Sequence, residues 1–321
     1  MKLGVLTVPL YDRSIEAAFE YLSNLGVQCV ELGTGGYPGN THVNPDILLD
    51  DPAKVGELKN LLAKYDLTIS ALSCHGNPVH PNKEIAKKDH SDFEKTCKLA
   101  QKLGVDTVIT FSGCPGDHEG AKYPNWVTCS WPTDFQHILK YQWDEVLVPY
   151  WKDAVKLAEG HGVTKIALEL HPGFCVYNTS SLLKLREAVG PAIGANFDPS
   201  HLFWQGMRPV EAIKCLQGAI YHFHAKDTRV DLFNTAVNGV LDTASYENLL
   251  GRSWVFRTVG YGHNETEWRD IISALRGIGY DGAISIEHED GLMSIEEGLE
   301  KAIDFLKPIL MYQPLPKMWW A

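Results

Sequence analysis

Four short stretches in the second half of the chain end apolar, β-branched runs in groups that bind cations or move protons. They are Ala-Leu-Glu-Leu-His-Pro (167–172), Asn-Phe-Asp-Pro-Ser-His (196–201), His-Phe-His-Ala-Lys-Asp (222–227) and Ser-Ile-Glu-His-Glu-Asp (285–290). Side chains alternate between the two faces of a strand. If the bulky apolar residues Leu168, Leu170, Phe197, Phe223, Ile284 and Ile286 face one way, then Glu169, Asp198, His224 and Glu287 face the other, each in the last turn of its strand. Three carboxylates gathered in a buried place cannot all stay ionised without a cation. A divalent metal resolves the conflict, and three oxygens with one imidazole nitrogen suit Mn2+, Mg2+, Co2+ or Zn2+ better than a thiolate-seeking ion. The expectation is one divalent ion, Mn2+ ahead of the others, held by Glu169, Asp198, His224 and Glu287. Taken singly, each of the four could instead be an ion-paired or capping residue.

Neighbouring groups extend this set. Lys226 shares the parity of His224 just past the strand end, where an ammonium could steady a substrate oxygen on which charge develops; an ion pair to Asp227 or Glu287 is the competing reading. His201, three residues beyond Asp198, reads as a second ligand or a substrate contact. His171 lies at the rim, His75 in Ser-Cys-His-Gly-Asn-Pro reads as a pocket wall, and His222 sits one step deeper than His224 as a ligand neighbour or a hydrogen-bonded core residue. His288 has the outward parity, with Glu289 and Asp290 past the strand end.

The elements that must position these groups alternate along the chain. Strands are predicted at 3–8, 27–32, 67–73, 105–111, 163–170, 192–198, 219–225 and 281–287, and helices near 14–25, 52–65, 91–103, 139–160, 179–188, 209–217, 267–277 and 294–308. Several helices end in a glycine turn that leads directly into the next strand, at Gly26, Gly104, Gly162 and Gly279, where a left-handed residue closes the helix. Eight βα units with near-continuous apolar strands predict a parallel barrel sheathed in helices, the (β/α)8 or TIM-barrel architecture. The competing doubly wound sheet is disfavoured because no G-x-G-x-x-G follows the first strand. Connections after strand 4 (112 to about 138) and strand 7 (226 to about 266) exceed the usual two to six residues. They fall on the rim where barrels place their chemistry, so they read as a lid, with Trp126 a substrate contact.

Composition agrees with a single globular domain over 1–312, followed by a tail (313–321) whose Trp319 and Trp320 should dock on the barrel or at a subunit interface. No apolar run approaches the roughly 20 residues that cross a bilayer. Seven scattered cysteines without a CxxC spacing argue against a disulfide framework or thiolate metal site, and the reading is cytoplasmic. A net charge of −11 without a basic stripe excludes nucleic acid as the expected partner. Self-association, or association with a second subunit, is expected.

With ALELHP, NFDPSH, HFHAKD and SIEHED in this order on the last four strands, the chain resembles the xylose isomerase-like barrel superfamily. That group includes sugar isomerases and epimerases, inosose-processing enzymes and endonuclease IV, and the resemblance spans about residues 3–310. In its ketose 3-epimerase branch, the positions matching Glu169, Asp198, His224 and Glu287 bind the metal, the two glutamates also move the proton, and the position matching His201 contacts substrate. An arginine that follows the strand 7 histidine in that branch finds only Arg229 as a match here. The resemblance implies a sugar isomerase or epimerase working through an enediolate, with Glu169, Glu287 and Lys226 catalytic. The long loops and the His-Glu-Asp after Glu287 look more like larger members that act beside oxidoreductases on 3-oxo-sugars, including the alpha subunits of C-glycoside deglycosidases. Elimination on an oxidised glycoside is therefore the alternative; an apurinic-site endonuclease and a non-catalytic sugar-binding subunit rank below it.

Overall fold

The computed structural model describes residues 1–320 and places Ala321 outside the described residues. Ten strands form in chain order: β1 (Lys2–Leu6), β2 (Cys29–Gly33), β3 (Thr68–Ser73), β4 (Thr107–Thr110), β5 (Lys165–Glu169), β6 (Ile193–Phe197), β7 (Ile220–Ala225), β8 (Asp227–Val230), β9 (Trp254–Arg257) and β10 (Ala283–Ile286). Strands β1 to β7 and β10 make a closed parallel barrel, each overlapping one of the eight expected strands. Closure is set by β10, whose Ala283 to Ile286 pair with Lys2 to Val5 of β1. This pairing rules out the open, doubly wound sheet, and helices fill the connections as a (β/α)8 barrel requires.

The local signals work as chemistry predicts. Ser14 caps the helix Ile15–Asn24 by accepting from the Ala17 amide. Gly26, Gly104, Gly162 and Gly279 all have φ between 75° and 87°, the left-handed conformation a helix-to-strand turn demands of a residue without Cβ. The helix expected near 91–103 starts earlier, at Lys83, because Asn82 provides a side-chain cap to Glu84. The helix expected at 139–160 is broken into Asp134–Lys140, a π-helical stretch Tyr141–Leu147, and Val148–Gly160.

Strand parity divides the interior. Phe197 and Phe223 are fully buried outside the barrel, stacked with ring centroids 5.8 Å apart, and burial of each contributes about 1.5–3 kcal/mol. Along the axis, Ala71, Ile109 and Ala167 form a small apolar plug. The polar inward residues lie above it, toward the C-terminal ends of the strands.

The segment after β7 departs from expectation. It is an antiparallel β8–β9 pair with Asp227 opposite Arg257 and Val230 opposite Trp254, carrying a helix at Leu232–Asn238. One buried carboxylate organises its return to the barrel. Asp227 accepts the backbone N–H groups of Gly260, Gly262 and His263 (3.1, 3.1 and 2.9 Å), the His263 ring at 2.8 Å and the Trp268 indole at 3.2 Å. Asp227→Ala strands these donors and should lower stability by about 3 kcal/mol, the range for breaking a buried charged hydrogen-bond network. Chemical denaturation measures it; an unchanged midpoint contradicts the assignment.

Trp319 and Trp320 are 88% and 67% exposed and pack edge-to-face on one another, and Arg276 bonds the carbonyls of Met311 and Gln313. Among the described residues all seven cysteines are free, and no helix is long and apolar enough to cross a membrane.

Candidate active site

The four expected ligands converge at the C-terminal mouth of the barrel: Glu169, Asp198, His224 and Glu287 each bring one ligand atom to within 4.8 Å of the others. Local structure fixes each of them. Asp198 caps the short helix Pro199–Phe203, accepting the Ser200 amide through Oδ1 at 2.8 Å, and so leaves Oδ2 for the centre. The same helix carries His201 back over the site, where its Nε2 lies 3.0 Å from Glu169 Oε1. Glu169 ends β5, and its Oε2 is met by His75 Nε2 at 2.9 Å and Asn196 Nδ2 at 3.3 Å. A relay stands behind Asn196, since its Oδ1 pairs with His222 Nδ1 (3.0 Å) and His222 Nε2 pairs with Ser70 Oγ (3.2 Å).

Three atoms in this cluster are buried without a hydrogen-bond partner: Asp198 Oδ2, His224 Nδ1 and Glu287 Oε2. Buried polar atoms are nearly always satisfied, and these three belong to three of the four residues that parity had assigned to a cation. Lys226 Nζ is 2.7 Å from Glu287 Oε2, 3.1 Å from Asp198 Oδ2 and 3.0 Å from Glu289 Oε2. It supplies countercharge to the first two without hydrogen-bonding geometry. One ammonium also faces Glu169 in this 2%-exposed position, so the carboxylates outnumber it. The donor set therefore fits a divalent ion.

Electrostatics separate the carboxylates. Burial drives Asp198 up to about 7, reinforced by Glu169 and Glu287 and only partly offset by Lys226. Burial acts on Glu169 in the same direction, yet hydrogen bonds from His201 and His75 outweigh it and hold this carboxyl well below its ordinary range. Glu287 is likewise lowered against its burial, by Lys226 and His224. Desolvation takes His201 down to about 3 and His222 down to about 4, so both rings are neutral.

The adjoining cavity of about 190 Å3 is lined by Tyr37, His75, Phe111, Glu169, His171, Lys226, Glu287 and Glu289 among others. His75 and His171 stand edge-on to Phe111, at 4.6 and 4.9 Å, and make an aromatic wall. His75, His171 and Lys226 all line this one cavity. His201 is buried beside them, its ring 4.1 Å from that of His171 and its Nε2 3.0 Å from Glu169 Oε1 and 3.4 Å from Asp198 Oδ2. Arg229 is exposed on β8 and donates to the Gly262 carbonyl at 3.3 Å; the strand pairing of β8 points it away from the cavity. Trp126 packs edge-on to Tyr177 (5.4 Å) and lines a separate cavity of about 430 Å3 with Lys140, Trp143 and Lys184, because the loop after β4 folds outward over the helix Thr179–Val189. His288 is outward as parity requires, its ring against Gly298, where a Cβ would approach Cε1 to 2.1 Å.

Sequence reasoning missed Glu31. It is fully buried in β2, and His224 Nε2 lies 2.9 and 3.1 Å from its two carboxylate oxygens. Extending the parity argument to Val-Gln-Cys-Val-Glu-Leu, with Val30 and Leu32 outward, would have found it.

Comparison with known proteins gives this geometry a lineage. YfiH, an uncharacterized protein of Bacillus subtilis, is 41% identical over 309 residues, 96% of this chain and 98% of its own length. Among solved structures, the probable 3-DHS dehydratase AsbF of Bacillus anthracis superposes with a TM-score of 0.68 at 19% identity, covering 95% of this chain and 98% of its own. The IolI protein with a zinc atom gives 0.67 at 19%, covering 97% and 98%. A D-psicose 3-epimerase solved in the presence of D-fructose gives 0.62 at 14%, covering 95% and 97%. The family model described as the xylose isomerase-like TIM barrel matches residues 19–309, nearly all of the barrel built above, and the chain belongs to that family.

Proposed function

We propose that this protein is a divalent-metal-dependent enzyme that removes a proton from the carbon beside a sugar carbonyl, giving epimerisation or isomerisation. The observation that carries the reading is the convergence of three unpartnered buried atoms, Asp198 Oδ2, His224 Nδ1 and Glu287 Oε2, beside Glu169. Those four residues would hold the ion, with Mn2+ ahead of Mg2+, Co2+ and Zn2+ for a donor set of carboxylates and one imidazole. When bound, the ion polarises a carbonyl and acidifies the neighbouring C–H.

The chain's own residues do the rest. Glu169 is ionised at neutral pH and rigidly held by His75, His201 and Asn196, which suits a base that must meet a C–H bond in one orientation. Glu287, ionised beside Lys226, is the partner that handles the proton on the other side. Lys226 offers its N–H groups to the oxygen on which charge develops. Phe111, His75 and His171 enclose the substrate and limit water.

The same half-reaction becomes elimination when a leaving group sits β to the carbanion. The fold shared with a dehydratase supports this second reading, on an oxidised glycoside. Incubation in D2O with Mn2+, against free ketoses and 3-oxo-glycosides, tests both. Deuterium at the carbon beside the carbonyl supports the proposal, and the released product separates the two outcomes. Absence of exchange and of elimination with every one of the four ions overturns it.

Ion binding should depend on pH with a defined sign. Below about 7 Asp198 carries a proton that an ion must displace. Mn2+ affinity should therefore fall about tenfold per pH unit below 7 and level off above it. Calorimetric titration between pH 5.5 and 8.5 checks this, and a flat profile contradicts it.

A further inference from the structure

Glu31 has no part in the reaction described above, yet it is a fully buried carboxylate on the barrel axis with every oxygen engaged. Oε2 accepts Ser285 Oγ at 2.9 Å, Oε1 accepts Ser73 Oγ, and His224 Nε2 lies within bonding distance of both. His222 is farther away, its Nε2 3.8 Å from Oε2. The three residues Glu31, His222 and His224 could in principle bind an ion of their own. Their hydrogen bonding argues otherwise: both His222 nitrogens are engaged, by Asn196 and Ser70, and neither Glu31 nor His222 contributes an unpartnered buried atom. This cluster is satisfied; the neighbouring one is not.

His224 joins the two clusters. An imidazole has two nitrogens, and whichever keeps its proton leaves the other as the ligand. Both nitrogens face carboxylates, but Nε2 is in hydrogen-bonding geometry with Glu31, whereas Nδ1, 3.0 Å from Glu287 Oε2 and 3.5 Å from Glu169 Oε2, makes no hydrogen bond.

We propose that Glu31 is the positioning residue of the metal centre: it holds the Nε2 proton of His224, turning the Nδ1 lone pair toward Asp198, Glu169 and Glu287. The inference rests on the metal reading of the site. Its physical content is twofold. The carboxylate selects one tautomer and one ring orientation, and its negative charge makes the imidazole a more basic ligand. Ser73 and Ser285 hold Glu31 from β3 and β10, so the orienting group is itself braced by strands on both sides of β2 and β1. The pairing of Ser285 with His224 across β10 and β7 ties the brace to the ligand's own strand.

The test begins with Mn2+ alone, its free ion measured by electron paramagnetic resonance. The wild-type chain should bind one ion, Glu31→Gln should bind it 10- to 100-fold more weakly, and Ile109→Val, which trims the apolar plug on the same axis and leaves Glu31 and its hydrogen bonds in place, should stay within threefold of wild type. Equal affinity in wild type and Glu31→Gln overturns the inference while leaving the metal reading intact; equal losses in both variants also overturn it, because they show mere disturbance of the axis. No binding by the wild-type chain overturns the metal reading and the inference with it. A measurement on the unaltered protein guards against a misfolded variant. With 15N-labelled histidine and Zn2+ as a diamagnetic probe, His224 should show a protonated Nε2 and a coordinated Nδ1. The opposite assignment overturns the proposal.

Discussion

Asp198→Asn is expected to raise the stability of the metal-free protein and to abolish tight binding of a divalent ion, two effects of opposite sign from one atom. The carboxylate is wholly buried, and its folded-state pKa is raised to about 7, chiefly by burial. A raised pKa contributes stability that is complete below the unfolded value near 4 and is lost as pH rises through 7. At pH 8 the metal-free barrel therefore carries a penalty of about 2–4 kcal/mol, because a tenfold difference in proton affinity between the folded and unfolded states corresponds to about 1.4 kcal/mol. Asparagine keeps the oxygen that caps Ser200 and removes the charge. The stability difference between variant and wild type should be small at pH 5 and largest at pH 8, read as thermal midpoints after chelation. Mn2+ affinity should fall roughly hundredfold or more, the scale for deleting one member of a buried charge cluster. A variant less stable than wild type at pH 8, or one that still binds Mn2+ normally, would remove Asp198 from the centre.

Glu169→Gln should lower the rate of deuterium uptake by about 10²- to 10⁴-fold, the range for loss of a positioned general base. The substitution is close in shape, but the site cannot accommodate an amide quietly. Both carboxylate oxygens accept bonds, Oε1 from His201 and Oε2 from His75 and Asn196, so one of these donors must face an NH2 group. The misplaced contact adds a stability loss of about 1–3 kcal/mol. Exchange is therefore measured at Mn2+ saturation, verified by the bound-ion signal, and on protein checked for folding. A decrease of less than tenfold under those conditions would show that another group takes the proton.

The barrel and the convergent quartet were legible because both depend on period. Alternation with period two placed Phe197, Phe223, Ile284 and Ile286 outward, and that alone sent Asp198, His224 and Glu287 to the axis. Glu31 obeys the same rule and was missed because β2 carries no second chemical group to draw attention to it; its meaning appears only when β2 lies across the axis from β7. The β8–β9 hairpin was illegible for a different reason. Asp-Thr-Arg-Val has weak strand character, and its partner arrives only at Trp254, so no short turn signal links the two. Trp126 lies in a loop whose side chains follow no period, and Arg229 lies on β8, a strand that the sequence did not signal. Their directions come from packing on the helix Thr179–Val189 and from the hydrogen bond to Gly262.

Lys226 has one more consequence. Its ammonium is a tethered counterion: it cannot diffuse away, and at 2% exposure it lies beyond the reach of the ionic atmosphere, whose screening acts over about 8 Å of open water at physiological salt. A cluster of carboxylates compensated only by buffer cations would loosen on dialysis into dilute solution. This one carries its compensation on the next residue but one after His224, and so keeps its acid groups gathered when the surrounding salt is diluted.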